Sequence, residues 1–428
     1  MPLSFRTITR SRAPLRLGLA GGGTDLSPYC DEFGGAVLNT TIDRFAYAFI
    51  SPRDDDRIIF RAKDLGREEM LAAAPELSHA SLLLHRGVYE RMVRDYNEGE
   101  AISATITTTV DAPPGSGLGS SSALVIALVD AFRAFLAVPL DQYELARLAF
   151  EIERLDLGLP GGRQDQYSAA FGGTNFIEFL GRDRVIVNPL RISDNIRNEF
   201  ESSLVVCFSG GSRDATTIIA QQTAGVTDHS RSTITAMDRL KADAIAMQNA
   251  LLVGDMDGMA RILEDSWAAK KLTALGVSNE RIDRLCRVAF DNGALAGKLS
   301  GAGGGGFLMF IVPPEDRLGV ITALDAAGGD AGPVKFTDQG CETWQIRRYR
   351  RETRGTERSP WRLMKAPCRS PGPTIALEEI AGNGELVELD IRYFEPVRRL
   401  VEYRRPATIF HLAAQSLPTL SWRSGPQK

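Results

Sequence analysis

The sequence predicts an α/β or α+β fold divided near residues 190–205, and three observations predict it. Short runs of period-two apolar alternation recur along the first 349 residues. Longer stretches with helical spacing separate them. Three glycine-rich stretches punctuate the same region, each beside a strongly patterned segment. The 428 residues, 43% of them apolar, suffice for two to three domains with real cores and exclude disordered, collagen-like and disulfide-scaffold classes.

Taken in order, Leu15, Leu17 and Leu19 alternate within Ala13–Asp25 and mark a strand that runs into a loop at Gly21-Gly22-Gly23. The alternating Thr/Ile run at 102–110 is a second strand. It leads into Asp111-Ala-Pro-Pro-Gly-Ser-Gly-Leu-Gly-Ser-Ser-Ser-Ala123 and then Leu124–Phe132, a sequence of strand, glycine loop and buried helix. Helices are expected at 141–155, over the whole of 230–272, at 279–296 and, shorter, at 316–328. The third glycine stretch, Lys298-Leu-Ser-Gly-Ala-Gly-Gly-Gly-Gly306, precedes the strand-like Phe307–Val312. No internal repeat is found.

A loop whose amides converge at a helix N-terminus binds anions, because free N–H groups and the helix dipole both favour negative charge. The second loop fits this. Its glycines Gly115, Gly117 and Gly119 let the backbone approach a phosphate chain, Ser120, Ser121 and Ser122 bring hydroxyls to the helix start, and Pro113-Pro114 stiffens the entry. It lacks the lysine of a Walker loop. The third loop contains GxGxxG at Gly301, Gly303 and Gly306, but in the order helix, loop, strand, the reverse of a dinucleotide fingerprint. Between these loops, Glu151–Tyr167 gathers acids and guanidinium groups around a glycine turn, which suits phosphoryl transfer. Singly, each acid reads as a surface charge or helix cap; the combination carries the argument.

Together the three stretches resemble the GHMP kinase superfamily. Ala13-Pro-Leu-Arg16 with Gly23-Thr-Asp25 is similar to its first motif, Pro113-x-x-x-Gly-Leu-Gly-Ser-Ser121 to its phosphate loop, and Lys298-Leu-Ser-Gly-Ala-Gly-Gly-Gly to its third motif. Fuller strings at Arg12–Asp25, Leu157–Tyr167 and Asp265–Lys271 look most like the D-glycero-D-manno-heptose 7-phosphate kinases, with the fucokinases as close relatives. The resemblance implies a two-domain fold, with an α/β phosphate-loop domain at 8–195 and a ferredoxin-like α+β domain at 196–349. It also implies ATP-dependent, Mg²⁺-assisted phosphorylation of an anomeric hydroxyl on a small sugar phosphate, on a route to nucleotide-activated heptose.

Carried over by position, Asp165 is the catalytic carboxylate, with Arg16 as its neighbouring cation. Pro113, Gly115, Gly117, Leu118, Gly119 and Ser120–Ser122 cradle the ATP phosphates, and Gly301, Ala302, Gly303 and Gly304 pack against that loop. Ser121 and Glu153 face the metal; the twelve-residue spacing from Glu153 to Asp165 leaves Glu151 open as its alternative. Ser122 stands where the family usually has alanine. Gly23, Thr24, Asp25 and Arg163 are assigned to the sugar. Arg163, Arg213, Lys270 and Lys271 are available for the substrate's phosphate, and spacing singles out none. The rival readings are an L-fucose or related sugar-1-kinase and a nucleotide-sensing pseudokinase, against which the intact Ser121, Glu153 and Asp165 speak.

Residues 350–428 carry 14 Lys+Arg and 9 Asp+Glu, so the overall charge of −4 divides into −9 for residues 1–349 and +5 for the rest. Residues 350–370 read as a basic linker. Residues 371–428 resemble a truncated, partly Rossmann-like fragment of a nucleotide-sugar dehydratase, without its glycine turn or Tyr-x-x-x-Lys pair. The near-neutral balance of the chain and the single Trp361 of the basic stretch argue against a nucleic-acid partner, the short apolar runs against a membrane one. Five scattered cysteines, at 30, 207, 286, 341 and 368, point to a reducing cytoplasm. Nothing in the sequence fixes the oligomeric state.

Overall fold

Strand β1 (Phe5–Ala20) shows how pattern becomes position. Strand geometry sends alternate side chains to opposite faces, so Leu15, Leu17 and Leu19 enter the core while Arg16 and Gly18 face a cavity. The computed structural model describes residues 5–181, 184–210, 215–349, 375–378 and 386–389.

After the short helix α1 (Tyr29–Glu32), β2 (Gly35–Pro52) returns antiparallel to β1. The first sheet continues through β3 (Arg57–Ala62), β4 (Arg67–Ala72), and, after α2 (Leu83–Tyr96), β5 (Ala104–Val110). Helix α3 (Ser120–Phe135) lies against β1 and β2, apolar around most of its surface and buried from Ala123 to Phe132 except at Leu124. Its one buried acid, Asp130, is satisfied by Ser11 at 3.0 Å, Arg133 at 2.8 Å and the Thr343 hydroxyl. Helix α4 (Gln142–Phe150) opens on a capping box formed by Asp141 and Glu144. It then widens into a π-helical turn over Glu151–Asp156, a feature that concentrates at functional sites. Helix α5 (Gln164–Phe171) and strands β6 (Thr174–Leu180) and β7 (Arg184–Pro189) complete this half.

Helix α6 (Asp194–Ser202) leads to a second, four-stranded antiparallel sheet. Its first strand is β8 (Leu204–Phe208), followed by α7 (Ala215–Thr227), α8 (Arg231–Val253), α9 (Met256–Lys271) and α10 (Glu280–Asp291). The hairpin β9 (Ala296–Leu299) and β10 (Phe307–Ile311), helix α11 (Arg317–Ala326) and β11 (Asp330–Pro333) finish it. The order β11-β8-β10-β9 is that of a ferredoxin-like unit. Both faces are covered: Leu204, Val206, Met309 and Ile311 join the main core, and Val205, Cys207, Leu308 and Phe310 a second one with α10 and α11. Strand β12 (Glu342–Tyr349) then crosses back to pair with β1, so the stretch 196–349 ends in the first sheet.

Two expected helices are shorter than their patterns suggested. The stretch 230–272 breaks after Val253, where Gly254 adopts a left-handed φ of 75° and Asp255 caps the next helix through the Gly258 amide at 2.8 Å. The stretch 279–296 stops at Asp291, and its last residue opens β9, the strand that carries Lys298. Residues 352–428 form a separate unit, described only as the antiparallel pair β13 (Ile375–Glu378) and β14 (Leu386–Leu389). The basic linker at 350–370 and the rest of the dehydratase-like stretch 371–428 lie outside the described residues.

Candidate active site

A cavity of about 410 Å³ opens where the three glycine stretches meet. The phosphate loop forms one wall. Helix α3 starts at Gly119, which has no side chain to cap the first turn, so the amides of Ser120–Ser122 are free to bind an anion. The third stretch presses directly on this loop: a Cβ on Gly117 would lie 2.2 Å from the Ser300 carbonyl, and one on Gly301 2.8 Å from Gly117 Cα. Only glycine permits that approach. The Phe307 amide donates to the Ser116 carbonyl at 2.8 Å, joining β10 to the same loop.

Arg16 ties the constellation together. Its Nε donates to Asp165 Oδ1 at 2.7 Å, with Nη2 2.6 Å from the same oxygen. Its Nη1 donates to the Gly117 carbonyl at 2.7 Å and to Ser300 Oγ at 3.2 Å. One guanidinium therefore links all three glycine motifs to the acid at the start of α5. Asp165 keeps 22% of its side chain exposed, lines the cavity and abuts Gly119, where a Cβ would meet its Cγ at 3.2 Å.

Glu151 and Glu153 differ in their contacts. Glu151 pairs with Arg91 at 2.5 Å and Arg147 at 3.7 Å. Glu153, 1% exposed, accepts from Ser121 at 2.8 Å, from Ser122 at 2.7 Å and from Gln166 at 2.7 Å, with Arg154 at 3.3 Å. Among the described residues no group of three or more acidic, histidine or cysteine side chains could enclose a metal. One carboxylate beside a hydroxyl at a phosphate loop nevertheless fits Mg²⁺, which takes one or two carboxylates and fills its shell with water and phosphate oxygens.

The residues assigned to the sugar divide. Gly23 and Asp25 line the cavity. The Asp25 carboxylate accepts from the Gly23 amide at 3.1 Å, the Gln164 amide at 3.1 Å and Gln164 Nε2 at 3.0 Å, so it also clasps the first loop to α5. Thr24 commits its hydroxyl to the Gly21 and Ala36 carbonyls at 2.8 and 2.9 Å and does not line the cavity. Arg163 is held outside it by Asp31 at 3.0 Å and stacks on Phe150. Lys271 sits over Trp267, and Arg213 lies outside the described residues. Of the third-loop residues, Gly301 and Ala302 line the cavity, whereas Gly303 and Gly304 rest on Val277: a Gly303 Cβ would lie 2.8 Å from Val277 Cα, and the Gly304 amide donates to its carbonyl at 3.0 Å.

Sequence reasoning gave no role to Arg154, whose guanidinium holds the Leu159–Gly162 turn through three carbonyls while reaching Glu153. Its position after Glu153 was the available signal. Lys298 was likewise read only as part of a glycine motif, yet it lines the cavity, 8% exposed.

Residues 83–173 match the family described as GHMP kinases N terminal domain, and residues 247–330 the one described as GHMP kinases C terminal. Over 338 residues the chain is 42% identical to a D-glycero-alpha-D-manno-heptose 7-phosphate kinase of Campylobacter jejuni, covering 79% of this chain and 99% of that one. The chain is a GHMP kinase. This kinase also superposes on the crystal structure of a D-glycero-D-manno-heptose 1-phosphate kinase from Bacteroides thetaiotaomicron (TM-score 0.67, 44% identity, 79% of this chain and 99% of that one). A sugar kinase from Campylobacter jejuni described as putative follows (TM-score 0.66, 40% identity, 80% and 99% coverage). The kinase is therefore a phosphotransferase with an alcohol acceptor. The dehydratase-like reading of residues 371–428 gains no support from these matches.

Proposed function

We propose that the protein is an ATP-dependent kinase that phosphorylates the anomeric hydroxyl of D-glycero-D-manno-heptose 7-phosphate to the 1,7-bisphosphate, on the way to a nucleotide-activated heptose. The observation that carries this is Arg16 bridging Asp165, Gly117 and Ser300, in a chain 42% identical to a heptose 7-phosphate kinase. ATP lies with its phosphates along Gly115–Ser122, where the uncapped first turn of α3 offers its amides. Glu153 and Ser121 would hold Mg²⁺, which when bound neutralises charge on the phosphates. Asp165 has one oxygen engaged by Arg16, leaving the other to accept the proton of the sugar hydroxyl. The sugar oxygen bonds to the γ-phosphorus, the bond from that phosphorus to the β,γ-bridging oxygen breaks, and ADP leaves. Arg16, held in place by four contacts, keeps the carboxylate oriented and adds positive charge where the phosphoryl group passes.

The described helices include none long and apolar enough to cross a membrane, and we place the reaction in the cytoplasm. ATP consumption measured across heptose 7-phosphate, unphosphorylated heptose, L-fucose and galactose tests the reading. Turnover is expected to be fastest by far on the 7-phosphate; silence on all four sugars would refute the kinase assignment, and preference for fucose would replace the substrate.

A further inference from the structure

A second wall of the cavity, built by α7, α9 and β9, is chemically unlike the phosphate-loop wall. Lys270 on α9 and Lys298 on β9 are each 8% exposed, line the cavity and have no ion-pair partner among the described residues. Each ammonium has three donors, and each uses one within the protein: Lys270 on the Gly22 carbonyl at 2.8 Å, Lys298 on the Leu19 carbonyl at 3.0 Å. Ser266, one helical turn before Lys270 on the same face of α9, is 1% exposed and its hydroxyl has no partner. The carbonyl oxygens of Gln164 and Gln222, both buried and both lining the cavity, are equally unpartnered.

Buried polar atoms are ordinarily hydrogen-bonded, and buried cations are ordinarily paired. Two cations and two unpaired polar atoms on this wall, with the unpaired Gln164 carbonyl of α5 lining the same cavity, therefore describe a site whose partner arrives with the ligand. A phosphate monoester carries close to two negative charges near neutral pH, which two lysines match. We propose that Lys270, Lys298 and Ser266 bind the phosphate that the sugar already carries, while Gln164 and Gln222 accept hydrogen bonds from its hydroxyls. This rests on the heptose 7-phosphate reading above and makes these residues the reason a phosphorylated sugar is chosen over a free one. The burial that pushes Lys270 down to about 8 and Lys298 to about 7 is consistent with cations awaiting a counter-charge.

The test compares kcat/KM for D-glycero-D-manno-heptose 7-phosphate with that for the unphosphorylated heptose in wild type, Lys270→Met and Ser266→Ala. Wild type is expected to prefer the 7-phosphate strongly. Lys270→Met should cut that preference at least a hundred-fold through KM, and Ser266→Ala about ten-fold. An equal loss on both sugars, or an intact preference in both variants, would overturn the assignment while leaving the kinase reading standing; a wild type without preference refutes the 7-phosphate reading itself. Inorganic phosphate, titrated calorimetrically into ADP-saturated enzyme, supplies a readout free of any sugar. It should bind wild type and lose at least ten-fold in affinity in Lys270→Met, and equal affinities would count against the site.

Discussion

The two walls of the cavity differ in how their polar groups are satisfied. On the phosphate-loop wall the charged groups named above have protein partners: Asp165 and Arg16 hold each other, and Glu153 is ringed by Ser121, Ser122, Gln166 and Arg154. On the α7/α9/β9 wall two lysines, the Ser266 hydroxyl and the Gln222 carbonyl have donors or acceptors to spare. The first wall is preorganised for a reaction whose charge distribution is fixed, and it need not rearrange as the phosphoryl group moves. The second is incomplete without its ligand, which is the condition for selectivity, because a substrate lacking the matching charge leaves buried cations unpaired.

The sharpest way to break this comparison is at Asp165. Asp165→Asn keeps the shape and the neighbourhood of Gly119 but removes the proposed proton acceptor. We expect kcat to fall by roughly a thousand-fold with ATP affinity nearly intact. Turnover within a few-fold of wild type would remove Asp165 from the chemistry, and lost ATP binding would make it a structural support of the loop.

Next in size is a pH effect that belongs to the lysine wall alone. Lys270 and Lys298 face each other's charge together with Arg16, Asp25 and Asp243, and burial lowers them to about 8 and about 7. They are charged below those values and neutral above. The kcat/KM for the sugar phosphate should therefore fall as pH rises through 7–8, by about ten-fold per unit once a single lysine controls binding. The unphosphorylated sugar should show a flatter profile over the same range, and identical profiles would show that the limb arises elsewhere.

The smallest effect is on stability. A lysine whose folded-state pKa lies below its unfolded value of 10.5 costs stability while charged, and that cost is relieved as pH climbs from the folded toward the unfolded value. Lys298→Met should accordingly raise Tm by roughly 2–4 °C at pH 6–7, with the gap closing by pH 10. A lower Tm in the variant would mean that the Leu19 contact outweighs burial.

Much of the first wall was legible in the sequence. The glycine loops sit beside periodic segments, and Leu15, Leu17 and Leu19 by alternation forced Arg16 to the opposite face. The second wall was not, because it is made by distance in the chain. Lys298 read only as the start of a glycine motif and proved to be a strand residue, since Asn292 and Gly293 end α10 early and Ala296 opens β9. Ser266 and Lys270 share a helix face, but only folding shows that this face meets Gly22. Arg163, two residues before Asp165 in sequence, points instead to Asp31 and Phe150. The continuous helix expected over 230–272 failed at one residue, Gly254, whose left-handed conformation turns α9 back toward β9 and so builds the wall.

The central claim is that this kinase adds a phosphate to the anomeric oxygen of a sugar that already bears one. The most direct measurement is phosphorus NMR of the product formed from heptose 7-phosphate and ATP. Two sugar phosphorus signals of equal intensity are expected, the new one split by the anomeric proton while the original remains. A single sugar phosphorus signal, or a new signal coupled to any proton other than the anomeric one, would contradict it.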